Sequence, residues 1–164
     1  MSHPLSVLRA AVHLETPDDV PEAERQLRAA LPDPDSAVLL AGLLLRQHRT
    51  TLELSPLYDG LGAPGTGREA WLRSLWARRA EALRLYRQVL AADPTHPAAA
   101  TGLALALLDP PSTVDFVYYP DGDLQEDDFD EEPAPDEAAA HLRRVLAADP
   151  GNTVAAALLE RCAG

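Results

Sequence analysis

The chain contains no lysine; all 14 of its basic residues are arginine. It has a single cysteine, Cys162, so it can form neither an internal disulfide nor a cysteine-ligated metal cluster, and a reducing compartment fits. Aromatics make up 5% of the residues against 46% for hydrophobic residues as a whole, so the apolar share is mainly Ala, Leu and Val. That balance suits close-packed helices better than a β-sandwich. A long apolar run is also missing. Met1 to Glu15 is interrupted by His3, Pro4, Arg9, His13 and Glu15, so neither a signal peptide nor a membrane span is expected, and a cytoplasmic location is. Arginine in place of lysine, with abundant Ala, Leu and Pro, is the bias of a GC-rich bacterial genome.

What is abundant is negative charge. The net charge is −12, from 26 acidic and 14 basic residues, which argues against direct nucleic-acid binding because that requires cations to displace counterions. Twelve of the carboxylates fall between Asp109 and Glu137, where there is no Arg, and the remaining 14 acids balance the 14 arginines. The acidity therefore belongs to one segment. At 164 residues the chain reads as a single domain, long enough to bury roughly 70% of its unfolded surface.

Three segments repeat. They start at Glu22 (EAERQLRAALPDPDSAVLLAGLLL), Glu81 (EALRLYRQVLAADPTHPAAATGLALALL) and Glu137 (EAAAHLRRVLAADPGNTVAAALLERC). Each predicts helix, Asp-Pro turn, helix. Ala82, Tyr86, Val89 and Leu90 lie at i, i+4, i+7 and i+8, on one helical face, and Pro94 follows. Ala138, Leu142, Val145, Leu146 and Pro150 repeat those offsets; Ala23, Leu27, Ala30 and Leu31 do so too, with Pro34 one residue early. The residue before proline is pushed out of the helical region, which ends the first helix of each pair.

An Ala, a large apolar residue four on, an apolar one at seven and Pro at twelve resembles the second helix of a tetratricopeptide repeat. Residues 80–108 and 136–163 carry the resemblance and 22–48 carry it loosely; Leu103 and Ala104 fit the family's first-helix Leu-Gly pair, and Leu159-Glu160 fits half of it. The starts are 59 and 56 residues apart, against 34 in the family, so two insertions are expected, at 50–67 and at 109–134, the latter acidic and mobile. Thr51 to Gly60 aligns with Thr113 to Gly122, and alternation in 51–54 and 113–118 predicts extended segments that can pair as a small β ribbon. The expected fold is all-α, a short right-handed helical-hairpin solenoid of about seven helices, near 4–15, 20–31, 36–49, 68–92, 97–108, 135–148 and 152–162.

Constellations for chemistry are thin. The carboxylates of 121–132 are consecutive, with little apolar cover to perturb them. Asp121, Asp123, Gln125, Asp127 and Glu132 fall at EF-hand spacing, but Glu126 stands where the loop needs Gly. His3, His13, His48, His96 and His141 are scattered without zinc spacing. Gly60, Gly62, Gly65 and Gly67 are not followed by the Lys-Ser/Thr of a phosphate loop. No enzyme activity, cofactor or metal is expected. Arg68, Arg73, Arg78, Arg79, Arg84 and Arg87 crowd one helix, whose apolar face is flanked by Arg73, Arg84 and Arg87. They can cover apolar surface with their stems or receive the acidic insertion.

The expected function is that of a non-catalytic adaptor binding a protein or peptide, with neither nucleic acid nor membrane contacted directly and self-association open. The resemblance implies a concave groove of first helices comprising Ala41, Leu45, His48, Thr101, Leu105, Leu108, Val154 and Ala157. It is mainly apolar and suits an amphipathic helix or extended apolar segment. In the insertion, Tyr118, Tyr119, Asp127, Asp128 and Phe129 form a second candidate contact set, aromatic anchors within charge that steers a basic partner. The alternative reading makes that insertion the active element of an inhibitor, mimicking nucleic acid or filling a basic site.

Overall fold

The structure, a computed structural model, describes the backbone of residues 20–58, 67–110 and 132–164 and the side chains of 20–46, 74, 76–110 and 132–164. These residues form six helices and no strand: α1 (Val20–Ala30), α2 (Pro34–Tyr58), α3 (Gly67–Ala92), α4 (Pro97–Leu108), α5 (Pro135–Ala148) and α6 (Thr153–Cys162). The helix expected at 4–15 and the segment 113–118 lie outside the described residues. Among those described, no helix is long and apolar enough to cross a membrane.

Short turns join α1 to α2, α3 to α4 and α5 to α6, and each is written in side-chain chemistry. At the end of α3, Asp93 leaves the helix and its Oδ1 accepts from the backbone N–H of Thr95 at 3.0 Å and from its hydroxyl at 2.7 Å. His96 then caps α4, its Nδ1 accepting from the Ala99 N–H at 3.3 Å with Pro97 at the first helical position. The α5–α6 turn uses the same scheme 56 residues later. Asp149 Oδ1 accepts from Gly151 N–H at 3.1 Å, and Asn152 caps α6 through Ala155 N–H at 3.0 Å. Asp149, at φ −135° and ψ 86°, shows the extended backbone that a following proline enforces.

The first turn departs from this scheme, and the departure explains the early proline. Asp33 caps α2, its Oδ2 accepting from the N–H of Ser36 at 2.9 Å and its hydroxyl at 2.7 Å. Pro34 is therefore the first residue of α2 rather than the terminator of α1.

A second correction concerns 51–54. Those residues lie inside a helix, α2, which runs on to Tyr58, so the strand expected there is not formed. Four alternating residues are a weak strand signal. Leu52, Glu53 and Leu54 are all good helix formers, and they extend an existing helix without a new nucleation step.

The core is built from aliphatic side chains and Ala, with Leu27, Leu40, Leu44, Leu103, Leu142 and Val145 fully buried. Consecutive helices pack on one another, and α4 also packs directly on α2 and on α6. By contrast α1 and α3, and α3 and α5, bring no Cα atoms within 8 Å of each other among the described residues. The odd-numbered helices therefore lie farther apart than the even-numbered ones. Ion pairs span that wider gap.

Two of those pairs are the same pair. Arg28 grips Glu81 in bidentate fashion, Nη1–Oε1 2.6 Å and Nη2–Oε2 3.0 Å. Arg87 grips Glu137 likewise, Nε–Oε1 2.8 Å and Nη2–Oε2 2.9 Å. Each arginine stands six residues after the glutamate that opens its own segment, Glu22 or Glu81, and each bonds the glutamate that opens the next. Arg78 adds a pair to Glu24 at 3.2 Å. Partly exposed pairs of this kind contribute about 0.2–1 kcal/mol each and set alignment more than stability.

Candidate functional site

The even-numbered helices carry the residues expected to line a groove, and the structure divides that set. Leu105 on α4 is 46% exposed and Val154 on α6 is 57% exposed; they are the exposed large hydrophobic side chains among the described residues. Ala157 is exposed as well, and Leu45, Thr101 and Leu108 are half-buried. Thr101 turns its hydroxyl back to its own helix, donating to Pro97 O at 2.9 Å, so it offers a methyl rather than a free donor. Ala41 does not belong to the set: it is 0% exposed and sits in the core, where α2 meets its neighbours. The side chain of His48 lies outside the described residues, as do Tyr118, Tyr119, Asp127, Asp128 and Phe129.

The surface left on α4 and α6 is apolar, framed at the C-terminal end of α4 by an exposed ion pair. Arg161 Nη2 on α6 reaches Asp109 at 2.9 and 3.0 Å. Asp109 opens the acidic tract, and Ala134 closes it. The Ala134 N–H donates to Leu107 O at 3.0 Å, so the chain leaves α4 and re-enters α5 at one place beside Leu108. The Arg-rich helix meets the borders of this tract through Arg87 and Glu137, and the Arg87 guanidinium holds the Glu137 carboxyl below its usual range.

Elsewhere, a cleft of about 320 Å³ lies between the α1–α2 turn and α3, lined by Leu31, Pro32, Ala37 and Val89, with Arg84 and Gln88 as its polar side chains. It brings together no acid–base pair. Among the described residues no three His, Cys, Asp or Glu side chains gather where a metal could be held. Cys162 is half-buried and its thiol donates to Leu158 O at 3.3 Å. His96 is a helix cap, with Nε2 3.8 Å from Asp35.

His141 on α5 is the titratable group whose placement has a consequence. Its Nδ1 is buried without a hydrogen-bond partner among the described residues. Burial, reinforced by Arg144, pushes its pKa below the ordinary value of 6.5. The unfolded chain therefore binds the His141 proton more readily than the folded one, and stability falls as pH drops through the region just below 6.5. Leu85 holds the matching place in α3 and is buried. His141→Leu is expected to raise stability more at pH 5.5 than at pH 7.5, measured by urea unfolding at both. An equal gain at the two values would show that His141 does not titrate on unfolding. The carboxylates of Glu81 and Glu137, held down by Arg28 and Arg87, act lower. Their contribution is full above the ordinary carboxylate range and is lost as pH falls through their depressed values.

Sequence reasoning missed three elements of this surface: the Arg–Glu pair between segments, the capping role of His96, and the burial of Arg79. The first was readable as Glu-Ala-x-x-x-(Leu/Tyr)-Arg, present at Glu22, Glu81 and Glu137. Comparison of the chain with protein-family models, with curated proteins and with solved structures found no match.

Proposed function

We propose that the chain is a non-catalytic adaptor, a short solenoid of tetratricopeptide type, that binds an apolar peptide or helix along the face shared by α2, α4 and α6. The observation that carries this reading is the exposure of Leu105 and Val154 on α4 and α6, two helices that pack directly together. Large aliphatic side chains left in water on adjoining helices provide the apolar area that an amphipathic segment would cover. Three further features support the repeat architecture. The turns after α3 and α5 share one hydrogen-bond scheme. The Arg–Glu pair recurs between successive segments. Closer approach of the even-numbered helices than of the odd-numbered ones curves such a stack with α2, α4 and α6 inside.

The test is capture of partners from native lysate with three baits: the unaltered chain, Leu105→Glu/Val154→Glu, and a chain with 111–131 replaced by a short Gly/Ser linker. A partner retained by the linker bait and lost from the charged bait is the expected result. Loss from the linker bait with retention by the charged one would overturn the groove reading and transfer recognition to the acidic insertion.

A further inference from the structure

The turn from α1 to α2 is shorter than the other two hairpin turns. Three residues, 31–33, join those helices, against four, 93–96 and 149–152, in the later turns. Between this turn and α3 lies the cleft of about 320 Å³, with Leu31, Pro32, Pro34, Ala37 and Val89 as its apolar walls. The turn has no backbone donor to give a ligand. Pro32 and Pro34 lack an N–H, and the N–H groups of Leu31 and Asp33 bond Arg28 O and Ala30 O. Polar recognition therefore falls to Arg84 and Gln88, one helical turn apart on the same stripe of α3. Both side chains have donors to give. Gln88 is exposed and makes no hydrogen bond among the described residues. Arg84 is denied the partner that its position implies. Arg25, 59 residues earlier, bonds the glutamate three residues before it, Glu22, at 2.6 and 2.9 Å. Arg28 already holds both oxygens of the corresponding Glu81, and Arg84 comes no nearer to that carboxylate than 3.8 Å.

We propose that this cleft binds a small apolar monocarboxylate, an alkyl or aryl acid, with its carboxylate on Arg84 and Gln88 and its hydrocarbon body against Leu31, Pro34 and Val89. The guanidinium fork matches both oxygens of a carboxylate, and the Gln88 amide adds a donor one turn on. A single negative charge is selected. Glu81, 3.8 Å from Arg84, repels a second one, and Arg84 is the one cation of the cleft wall among the described residues. The volume sets the size of the body. A cavity of about 150 Å³ takes a benzene ring, and this cleft offers about twice that, which suits a body of about six to ten carbons. None of its lining residues belongs to the face formed by Leu105 and Val154, so the acid would bind apart from the peptide.

Titration of the full, isotope-labelled chain with phenylbutyrate, followed through its amide resonances, tests the inference. Saturable shifts at Ala37, Gln88 and Val89 are expected, with a dissociation constant of about 0.1–1 mM. Acetate has the carboxylate without the body, and phenylbutanol the body without the charge. Each is expected to bind at least about tenfold more weakly. Arg84→Gln is expected to lower phenylbutyrate affinity about tenfold, and Ala92→Phe, at the end of α3, to fill the cleft and abolish saturation. Both change exposed side chains, and urea unfolding verifies that both variants fold. The proposal is overturned if phenylbutyrate gives no saturable shift at these amides, if phenylbutanol binds as tightly, or if Arg84→Gln binds as the unaltered chain does. A peptide ending in a free leucine carboxylate that binds at least about tenfold more tightly than phenylbutyrate would make the occupant a chain terminus and overturn the small-acid assignment. Neither variant touches Leu105 or Val154, so failure here is distinct from failure of the groove.

Discussion

Replacing Tyr86 with alanine is expected to lower unfolding free energy by about 3–5 kcal/mol, and replacing Gly102 with alanine by about 1–2 kcal/mol, for two sides of one contact. Tyr86 is 4% exposed on α3, and burial pushes its hydroxyl pKa up to about 12. A methyl built on Gly102 of α4 would lie 2.6 Å from the ring and its oxygen, closer than side-chain carbons approach anything. Alanine is the better helix former by about 1 kcal/mol, and that gain offsets part of the clash without removing it. Gly42 provides the control. A methyl there would stand 3.6 Å from the Tyr86 oxygen, in ordinary contact, so Gly42→Ala is expected to be neutral or to stabilise by up to about 1 kcal/mol. Pairing Gly102→Ala with Tyr86→Leu, close to a volume-conserving exchange, should recover part of the loss. Urea unfolding of the four single variants and the pair would supply the coupling. Gly102→Ala unfolding at the urea midpoint of the unaltered chain would show that α4 shifts away from α3 without cost.

Residues with a local signature were legible in the sequence; residues whose role depends on a distant partner were less so. Pro97 and Pro135 mark the first positions of α4 and α5, and the helices expected at 97–108 and 135–148 are found with those bounds. Asp-Pro steps announced the turns after α3 and α5, because the preproline constraint acts on the residue next door. Pro34 was misassigned for the same reason: a proline can follow one helix or open the next, and the choice rests on Asp33 capping Ser36. Ala41 follows the first-helix spacing that leaves Thr101 half-buried and Ala157 exposed, yet it sits in the core, a difference that the repeat pattern does not mark. Arg79 had a signal that was passed over. It stands three, four and seven residues before Ala82, Leu83 and Tyr86, on the apolar face, while Arg84 and Arg87 fall on the flank.

The position of Arg79 leads to the other large expected effect. It is 3% exposed, and its Nη2 donates to Ala106 O at 2.8 Å. Ala106 is among the last four residues of α4, whose carbonyls have no partner within the helix. Three of those carbonyls find partners from three sources. Asp109 N–H reaches Leu105 O at 3.1 Å, Ala134 N–H reaches Leu107 O at 3.0 Å, and the guanidinium takes Ala106 O. The cation also lies at the negative end of the helix dipole, away from solvent that would screen it. Arg79→Met keeps much of the stem packing and leaves a buried carbonyl unsatisfied, so a loss of about 2–3 kcal/mol is expected by urea unfolding. Arg79→Ala adds a cavity and should cost more, whereas Arg84→Met, on the exposed flank, should stay within about 0.5 kcal/mol. Salt separates this contact from the surface pairs. Raising ionic strength weakens Arg28–Glu81 and Arg87–Glu137 but leaves the difference between Arg79→Met and the unaltered chain nearly constant. A difference that shrinks with salt would mean that Arg79 acts through an exposed charge, and that the end of α4 is held by Asp109 and Ala134 alone.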